Sequence, residues 1–230
     1  DYHAGRILQY LHEEGVLDNT LVIFTSDHGE LLGDFASFGK RSILDAAARV
    51  PLIIRYPARF AAGERCERVC SHVDLAPTVL RACGLQTLPQ HQGVDLAELS
   101  DRAPDRPGVL CQYSDGPSGL YGLIGDEFKY IYSAADNCEW LFRRRGTEPE
   151  ERSLADNQAW WGTCAQMRRA LVSWLRRDGC TDVLDGDGWR LYPPEERPTL
   201  DPNPDHGLLY QEARDVSTAF PPGYAPVSLP

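Results

Sequence analysis

The chain has 230 residues, a net charge of −11 and a pI near 5.0, and 42% of its residues are apolar. The acidity argues against a nucleic-acid partner, because phosphates require a basic protein surface. No apolar run approaches the ~20 residues of a membrane span, so we expect no membrane partner either. Length and apolar content suffice for one large domain, or one and a half, with a hydrophobic core.

The cysteines bear on the compartment. Their number is seven, so at least one is unpaired within the chain. Scattered reduced thiols are typical of a reducing environment, and we therefore expect a cytoplasmic location, with a periplasmic or secreted one as the alternative. Cys66 and Cys70 have no matching second pair or histidine cluster, which argues against a zinc site between them.

Apolar periodicity predicts the elements of the first hundred residues. In chain order they are a helix over 3–16, buried strands over 21–25 and 50–54, and a helix over 74–83. The last helix is favoured because Asp74 can cap its start and Gly84 can end it. His72 lies just before this helix, and we expect it to have a structural role.

The pattern changes after residue 93. Residues 100–108 are rich in Asp, Arg and Pro, which indicates a linker. Beyond it the sequence predicts short strands over 109–113, 120–124, 128–132 and 140–142, then a helix over 164–177. Residues 191–230 include nine prolines and are predicted to form an extended tail.

The end of the first predicted strand places two metal-binding residue types side by side. Asp27 and His28 follow the apolar run, and Gly29 permits a sharp turn that a Cβ would obstruct. Ligands of open α/β sheets bind where strands end. Carboxylate and imidazole groups both bind metals, and Lys40 can add a cation suited to an anion. The alternative is an aspartate that caps the next turn beside a histidine that hydrogen-bonds locally.

Several segments, in one order, resemble a known family. They are Asp18 to Asp34, Phe38-Gly39-Lys40, Arg49 to Pro57, Val73 to Leu80, Gln92-Gly93, Phe128 to Tyr132 and a divergent acidic segment from Glu139 to Ala155. This set resembles the sulfatase family of the alkaline-phosphatase-like hydrolases, and the likeness runs from Asp1 to about Ala155.

The resemblance implies an α/β fold. Part of an alkaline-phosphatase-like mixed sheet, flanked by helices, would be followed by a small C-terminal antiparallel sheet with a covering helix. Residues 1–99 would then be the C-terminal part of the catalytic α/β domain, and residues 100–190 a small α+β subdomain. Residues 191–230 would remain as the Pro-rich tail.

The resemblance also assigns site residues. Asp27 and His28 match the family's metal ligands, most often for Ca²⁺ in sulfatases, with Mg²⁺ or Mn²⁺ in relatives. Lys40 matches the catalytic, substrate-binding lysine that contacts the sulfate, where an ammonium stabilises negative charge on the ester oxygen. Where the family often has histidine this chain has Phe35, so either a polar contact is lost or the substrate is less polar there. Further nearby cations for a sulfate are Arg41, Arg49 and Arg55.

Part of the family's machinery does not occur in this sequence. Sulfatases carry their nucleophile in Cys-x-Pro-x-Arg or Ser-x-Pro-x-Arg, whose first residue is oxidised to formylglycine. No cysteine or serine here begins such a motif, and the family's paired N-terminal aspartates are missing too. We therefore expect the C-terminal portion of a longer enzyme, inactive alone and partnered by a missing N-terminal half.

The implied function is metal-dependent hydrolysis of a small-molecule sulfate monoester. Phosphonate or phosphate monoester hydrolysis is the alternative within the superfamily, since those relatives share the metal site. A second alternative is a truncated, non-catalytic relative kept for binding or assembly. The Pro-rich tail adds the expectation of a homo-oligomer built through it.

Overall fold

Three antiparallel sheets organise the residues that this computed structural model describes, namely 1–99, 104, 106–144 and 150–193. The helices are α1 (Tyr2–Glu13), α2 (Asp45–Ala48), α3 (Leu75–Ala82) and α4 (Trp161–Arg177). The strands are β1 (Val22–Thr25), β2 (Leu52–Arg55), β3 (Val109–Tyr113), β4 (Leu120–Ile124), β5 (Phe128–Ser133), β6 (Cys138–Arg143), β7 (Leu184–Asp185) and β8 (Gly188–Trp189).

The first sheet is the antiparallel pair of β1 and β2. Its register joins Val22 to Arg55 at one end and Thr25 to Leu52 at the other. Both predicted strands are therefore confirmed, with their bounds moved by one or two residues. Since the pairing stops at Thr25, the chain is free to turn at the next residue, where Asp27 and His28 follow.

The second sheet is a four-stranded meander in the order β3-β4-β5-β6. Side chains of a strand alternate between its two faces, and in β5 both faces are buried. Tyr130 and Tyr132 pack on the face that α4 covers, whereas Ile131 packs on the opposite face with Leu31, Ile43 and Leu44. The sheet thus has α4 on one side and the loop region after β1 on the other.

These observations confirm the predicted fold class, a small antiparallel sheet with a covering helix after an α/β segment. Two elements escaped the sequence prediction, α2 and the two-stranded sheet of β7 and β8. Trp189 attaches this small sheet to the larger one, because its ring stacks on Tyr132 at 4.2 Å between centroids and 2° between planes. The covering helix α4 begins at Trp161, three residues before the predicted start.

Most of the 100–108 linker and of the Pro-rich tail lie outside the described residues, and the proposed domain boundaries stay predictions. No helix in the described part of the chain is long and apolar enough to cross a membrane.

Candidate functional site

A turn at the end of β1 holds the predicted metal ligands. The Ser26 hydroxyl donates to the carbonyl of His28 at 2.8 Å, and the His28 amide donates to Asp27 Oδ1 at 3.0 Å. These local bonds fold the segment back on itself directly after the last paired residue of the strand. The Asp27 side chain remains 83% exposed.

Close contact with α2 fixes the far side of this turn. The Gly29 amide donates to the carbonyl of Ala47 at 2.8 Å. A Cβ on Gly29 would lie 2.0 Å from the carbonyl oxygen of Ala46, far inside van der Waals contact. Glycine is therefore required here for close approach of two backbones, as the sequence indicated for a sharp turn.

The imidazole of His28 is oriented by its own backbone. Nδ1 lies 2.7 Å from the carbonyl of Gly29, an acceptor, so Nδ1 carries the proton and donates. The other nitrogen, Nε2, then presents its lone pair, 3.2 Å from Asp27 Oδ2 and in contact with the Lys40 ammonium. Asp27, His28 and Lys40 thus meet at one point.

A tight loop brings Lys40 back to this point. The Leu31 amide donates to the Gly39 carbonyl at 2.9 Å, and the Gly39 amide donates to the Glu30 carboxylate. Inside the loop, the Gly33 amide donates to the Ser37 carbonyl at 2.8 Å. The loop is thereby closed at its neck, and Lys40 leaves it beside the Asp-His turn.

Charges and hydrogen bonds favour the ionised form of Asp27. The backbone hydrogen bond from His28 lowers the pKa of this carboxyl below its ordinary value, and the positive charge of Lys40 adds to the effect. Partial desolvation opposes the shift without reversing it. The carboxylate is therefore ready to bind a cation at neutral pH.

The donor set fits a divalent metal in part. Asp27 offers an ionised oxygen and His28 an oriented Nε2 lone pair, a combination suited to Ca²⁺, Mg²⁺ or Mn²⁺. Among the described residues no group of three or more His, Cys, Asp and Glu side chains could hold a metal. Ca²⁺ takes six to eight oxygens and Mg²⁺ six ligands, so these two residues would supply only part of a coordination shell.

The other predicted site features lie elsewhere. Arg55 pairs with the Asp18 carboxylate and donates to the Leu17 carbonyl, on the opposite end of the first sheet from Asp27. Arg49 is 74% exposed and lies 3.5 Å from Asp45. Phe35 packs against the core below the loop, so the residue that stands where the family often has histidine has a packing role here.

One contact at the turn escaped the sequence prediction. Nε2 of His72 lies 2.8 Å from the carbonyl of Ser26, the residue just before Asp27. The two residues are 46 positions apart, and no sequence pattern joins them. The histidine expected to be structural therefore contacts the turn that carries the two predicted metal ligands.

Comparison with known proteins identifies the same family as the sequence motifs. The Sulfatase family profile matches residues 1–85. The N-acetylglucosamine-6-O-sulfatase of Bacteroides thetaiotaomicron is 34% identical over 161 residues, which are 66% of this chain and 29% of that protein.

Solved structures of relatives superpose on the fold. BT4656, solved in complex with its substrate D-glucosamine-2-N,6-O-disulfate, matches 77% of this chain and 38% of its own, with 27% identity and a TM-score of 0.67. The phosphonate monoester hydrolase of Silicibacter pomeroyi matches 84% of this chain and 42% of its own, also with 27% identity and a TM-score of 0.67.

The fold is that of a segment of an alkaline-phosphatase-like hydrolase. Within that superfamily the chain belongs to the sulfatase family. Members of this family are generally metal-dependent. The chain spans between 29% and 31% of the length of the first three curated relatives it matches.

Proposed function

We propose that this protein is a metal-dependent hydrolase of sulfate monoesters, in which Asp27 and His28 bind the metal and Lys40 contacts the sulfate. The observation that carries the proposal is the meeting of these three side chains at the end of β1. Named sulfatases among the relatives support the reaction class.

Each residue has a role that follows from its chemistry. Asp27 and His28 would hold a divalent cation, most often Ca²⁺ in this family, which supplies charge neutralisation to an anionic ester. His28 Nε2 has a single lone pair, so it would serve either the Lys40 ammonium or a metal ion. With Nε2 holding a metal, the Lys40 ammonium would be available to the sulfate, where it would stabilise charge on the departing oxygen.

The substrate class follows from the relatives. One acts on the 6-O-sulfate of N-acetylglucosamine, and BT4656 was solved with a sulfated glucosamine. A small-molecule sulfate ester is therefore the proposed substrate here. The nucleophile and the remaining metal ligands would come from residues other than those described, as expected for an N-terminal half that completes the enzyme.

Phosphonate monoester hydrolysis is the second candidate. It is favoured by the superposition on a phosphonate monoester hydrolase, whose coverage of this chain exceeds that of BT4656. Sulfate monoesters and phosphonate monoesters can both present a singly charged tetrahedral anion, so the Asp-His-Lys arrangement alone suits either.

The test is turnover of paired aryl esters by the natural protein at the length it has in its source. We expect faster cleavage of aryl sulfate than of aryl phosphonate, loss of activity with a chelator, and recovery with Ca²⁺. Lys40→Met should lower kcat by roughly 10²- to 10³-fold, the usual cost of losing one charge-stabilising group. Arg81→Met on the exposed side of α3 is the control and should leave turnover unchanged. Preference for phosphonate would favour the second candidate, and cleavage of neither ester would contradict both.

The remaining expectations stay predictions. The cytoplasmic location rests on the reduced thiols alone. The homo-oligomer was inferred from the Pro-rich tail, most of which lies outside the described residues.

A further inference from the structure

His72 makes a contact whose partner gives it a role. Its Nε2 donates a hydrogen bond to the Ser26 carbonyl at 2.8 Å, and the same oxygen accepts a longer bond of 3.3 Å from the Thr25 hydroxyl. The β1–β2 pairing ends at Thr25, so this carbonyl has no partner in the sheet. The imidazole of His72 thus gives the Ser26 carbonyl a hydrogen bond where the sheet gives none, at the peptide just before Asp27.

The backbone that carries His72 is unusually well anchored. His72 begins a short 3₁₀ helix with a capping box, in which Ser71 and Asp74 satisfy each other's backbone amides. Asp74 is fully buried, and Arg106 binds both of its oxygens at 2.8 and 2.7 Å. A bidentate pair with a buried carboxylate fixes orientation as well as position.

The anchor extends beyond the ion pair. Asp74 Oδ1 also accepts from the Val94 amide at 2.8 Å, and Thr78 links the Asp74 carbonyl to the Leu96 amide through its hydroxyl. Hydrogen bonds from Thr78, Val94 and Arg106 therefore converge on the residue two positions after His72. The backbone that places the imidazole against Ser26 is thus held by these hydrogen bonds, although the ring itself lies at the surface.

We propose that His72 is a positioning residue for the metal pair: it holds the Ser26 carbonyl from one side while Ala47 holds the Gly29 amide from the other. Between these two braces lie only Asp27 and His28. Their ligand atoms are then kept facing one point before a cation arrives. The inference rests on the proposed metal-binding role of Asp27 and His28.

The size of the effect follows from other metal sites. Partners that orient metal ligands cost about 10- to 100-fold in metal affinity when they are removed. His72 lies one step further out, since it acts through a backbone carbonyl. We therefore expect about a tenfold loss, near the lower end of that range.

The test is metal affinity of the natural protein, measured by calorimetric titration of the metal-free form with Ca²⁺ and with Mn²⁺. His72→Leu should weaken binding about tenfold. His72→Gln keeps an N–H donor near the position of Nε2 and should bind close to the wild-type affinity. His12→Leu on the exposed side of α1 is the matched control and should change nothing.

The outcomes separate the two proposals. If His72→Leu binds metal as tightly as the wild type, the positioning role is wrong while the hydrolase proposal stands. If His72→Gln binds metal as weakly as His72→Leu, the residue is merely structural. The same holds if both variants lose affinity and both also have a clearly lower melting temperature. If the wild type binds neither cation, the proposed function fails and the positioning role fails with it.

Discussion

At the scale of single residues, the site depends on backbone approach as much as on its ligands. Gly29 gives the site no functional group, yet its Cα faces the carbonyl of Ala46 with no room for a methyl group. The amide of the same residue is one of the two braces of the Asp-His turn. A change at Gly29 therefore moves the ligands without touching either of them.

We expect Gly29→Ala to destabilise the fold by about 1–3 kcal/mol, the usual cost of forcing an extra methyl into a filled space. Metal affinity should fall as well, because the turn must shift away from α2. Chemical denaturation and metal titration of the same preparation measure both effects. Gly5→Ala in α1 is the control, since its Cβ meets nothing within 4 Å and should be neutral or stabilising by about 0.5–1 kcal/mol. Equal stability of both variants would contradict the close approach.

At the scale of elements, a buried cation joins α2 to the four-stranded sheet. Lys129 of β5 is 1% exposed and donates to Asp45, to Glu150 at 2.6 Å and to the Ile43 carbonyl at 3.1 Å. These partners satisfy all three ammonium protons. Burial raises the pKa of Asp45, but the Lys129 charge and hydrogen bond outweigh it and hold that pKa below its ordinary value. The helix α2, which contacts Gly29, is thus itself bound to the sheet by the ion triad of Lys129, Asp45 and Glu150.

Lys129→Met should destabilise the protein by about 3–5 kcal/mol, because it leaves the Asp45 and Glu150 carboxylates without their buried partner. Arg49→Met removes a cation from the same aspartate but at a 74% exposed position, and should cost less than about 1 kcal/mol. Urea denaturation of the two variants beside the wild type gives the comparison. Similar costs for both would mean that burial does not set the strength of the triad.

A second polar cluster, between β6 and α4, predicts how stability depends on pH. Burial raises the pKa of Glu139, but hydrogen bonds from Arg168 and Tyr130 and the Arg168 charge prevail and lower it. A carboxyl whose pKa falls on folding adds stability above its unfolded value of about 4.3. That contribution is lost as the pH falls through the folded pKa.

We therefore expect Arg168→Met to lower the free energy of unfolding by about 1 kcal/mol at pH 7, a value discounted because Arg168 is 37% exposed. The difference from the wild type should shrink as the pH falls below the unfolded value of about 4.3 and disappear once the pH passes the lowered folded pKa of Glu139. Arg177→Met, at a 67% exposed position of the same helix, should show almost no difference at either pH. Thermal unfolding across pH 3–7 measures this, and a pH-independent difference would contradict it.

The sequence predicted the elements with strong local patterns and missed those held by distant contacts. The strands and α4 have apolar runs or stripes, and their bounds were right within a few residues. By contrast, α2 has four residues and depends on Lys129, 84 positions away, while β8 depends on the stack of Trp189 on Tyr132. The candidate site residues were predicted from residue types at a strand end and from the resemblance. The contact of His72 was not, because only the fold brings it to Ser26.

At the scale of the whole molecule, the N-terminal part of the chain exposes large apolar side chains on β1, β2 and α1. Phe24 and Ile53 are cross-strand partners in the first sheet, and they are 49% and 63% exposed. Ile7 and Tyr10 of α1 are exposed by 63% and 60%. Within the described residues β1 and β2 pair only with each other, so each has one open edge. Apolar faces with open strand edges are surfaces on which chains associate.

We expect the 230-residue chain, expressed alone, to self-associate, because the sheet face that carries Phe24 and Ile53 is left exposed by the described residues. Phe24→Thr with Ile53→Thr keeps two strand-favouring residues but removes the apolar pair, and should raise the monomer fraction in sedimentation velocity. Leu191→Thr, at a 71% exposed position outside the first sheet, is the control and should not. If an N-terminal half completes the sheet, adding it should suppress association of the wild type and do less for the double variant, whose face offers less apolar area. If the wild-type chain is monodisperse and does not bind the added half, the expected completion of the sheet is contradicted. That result would favour the alternative of a non-catalytic binding protein.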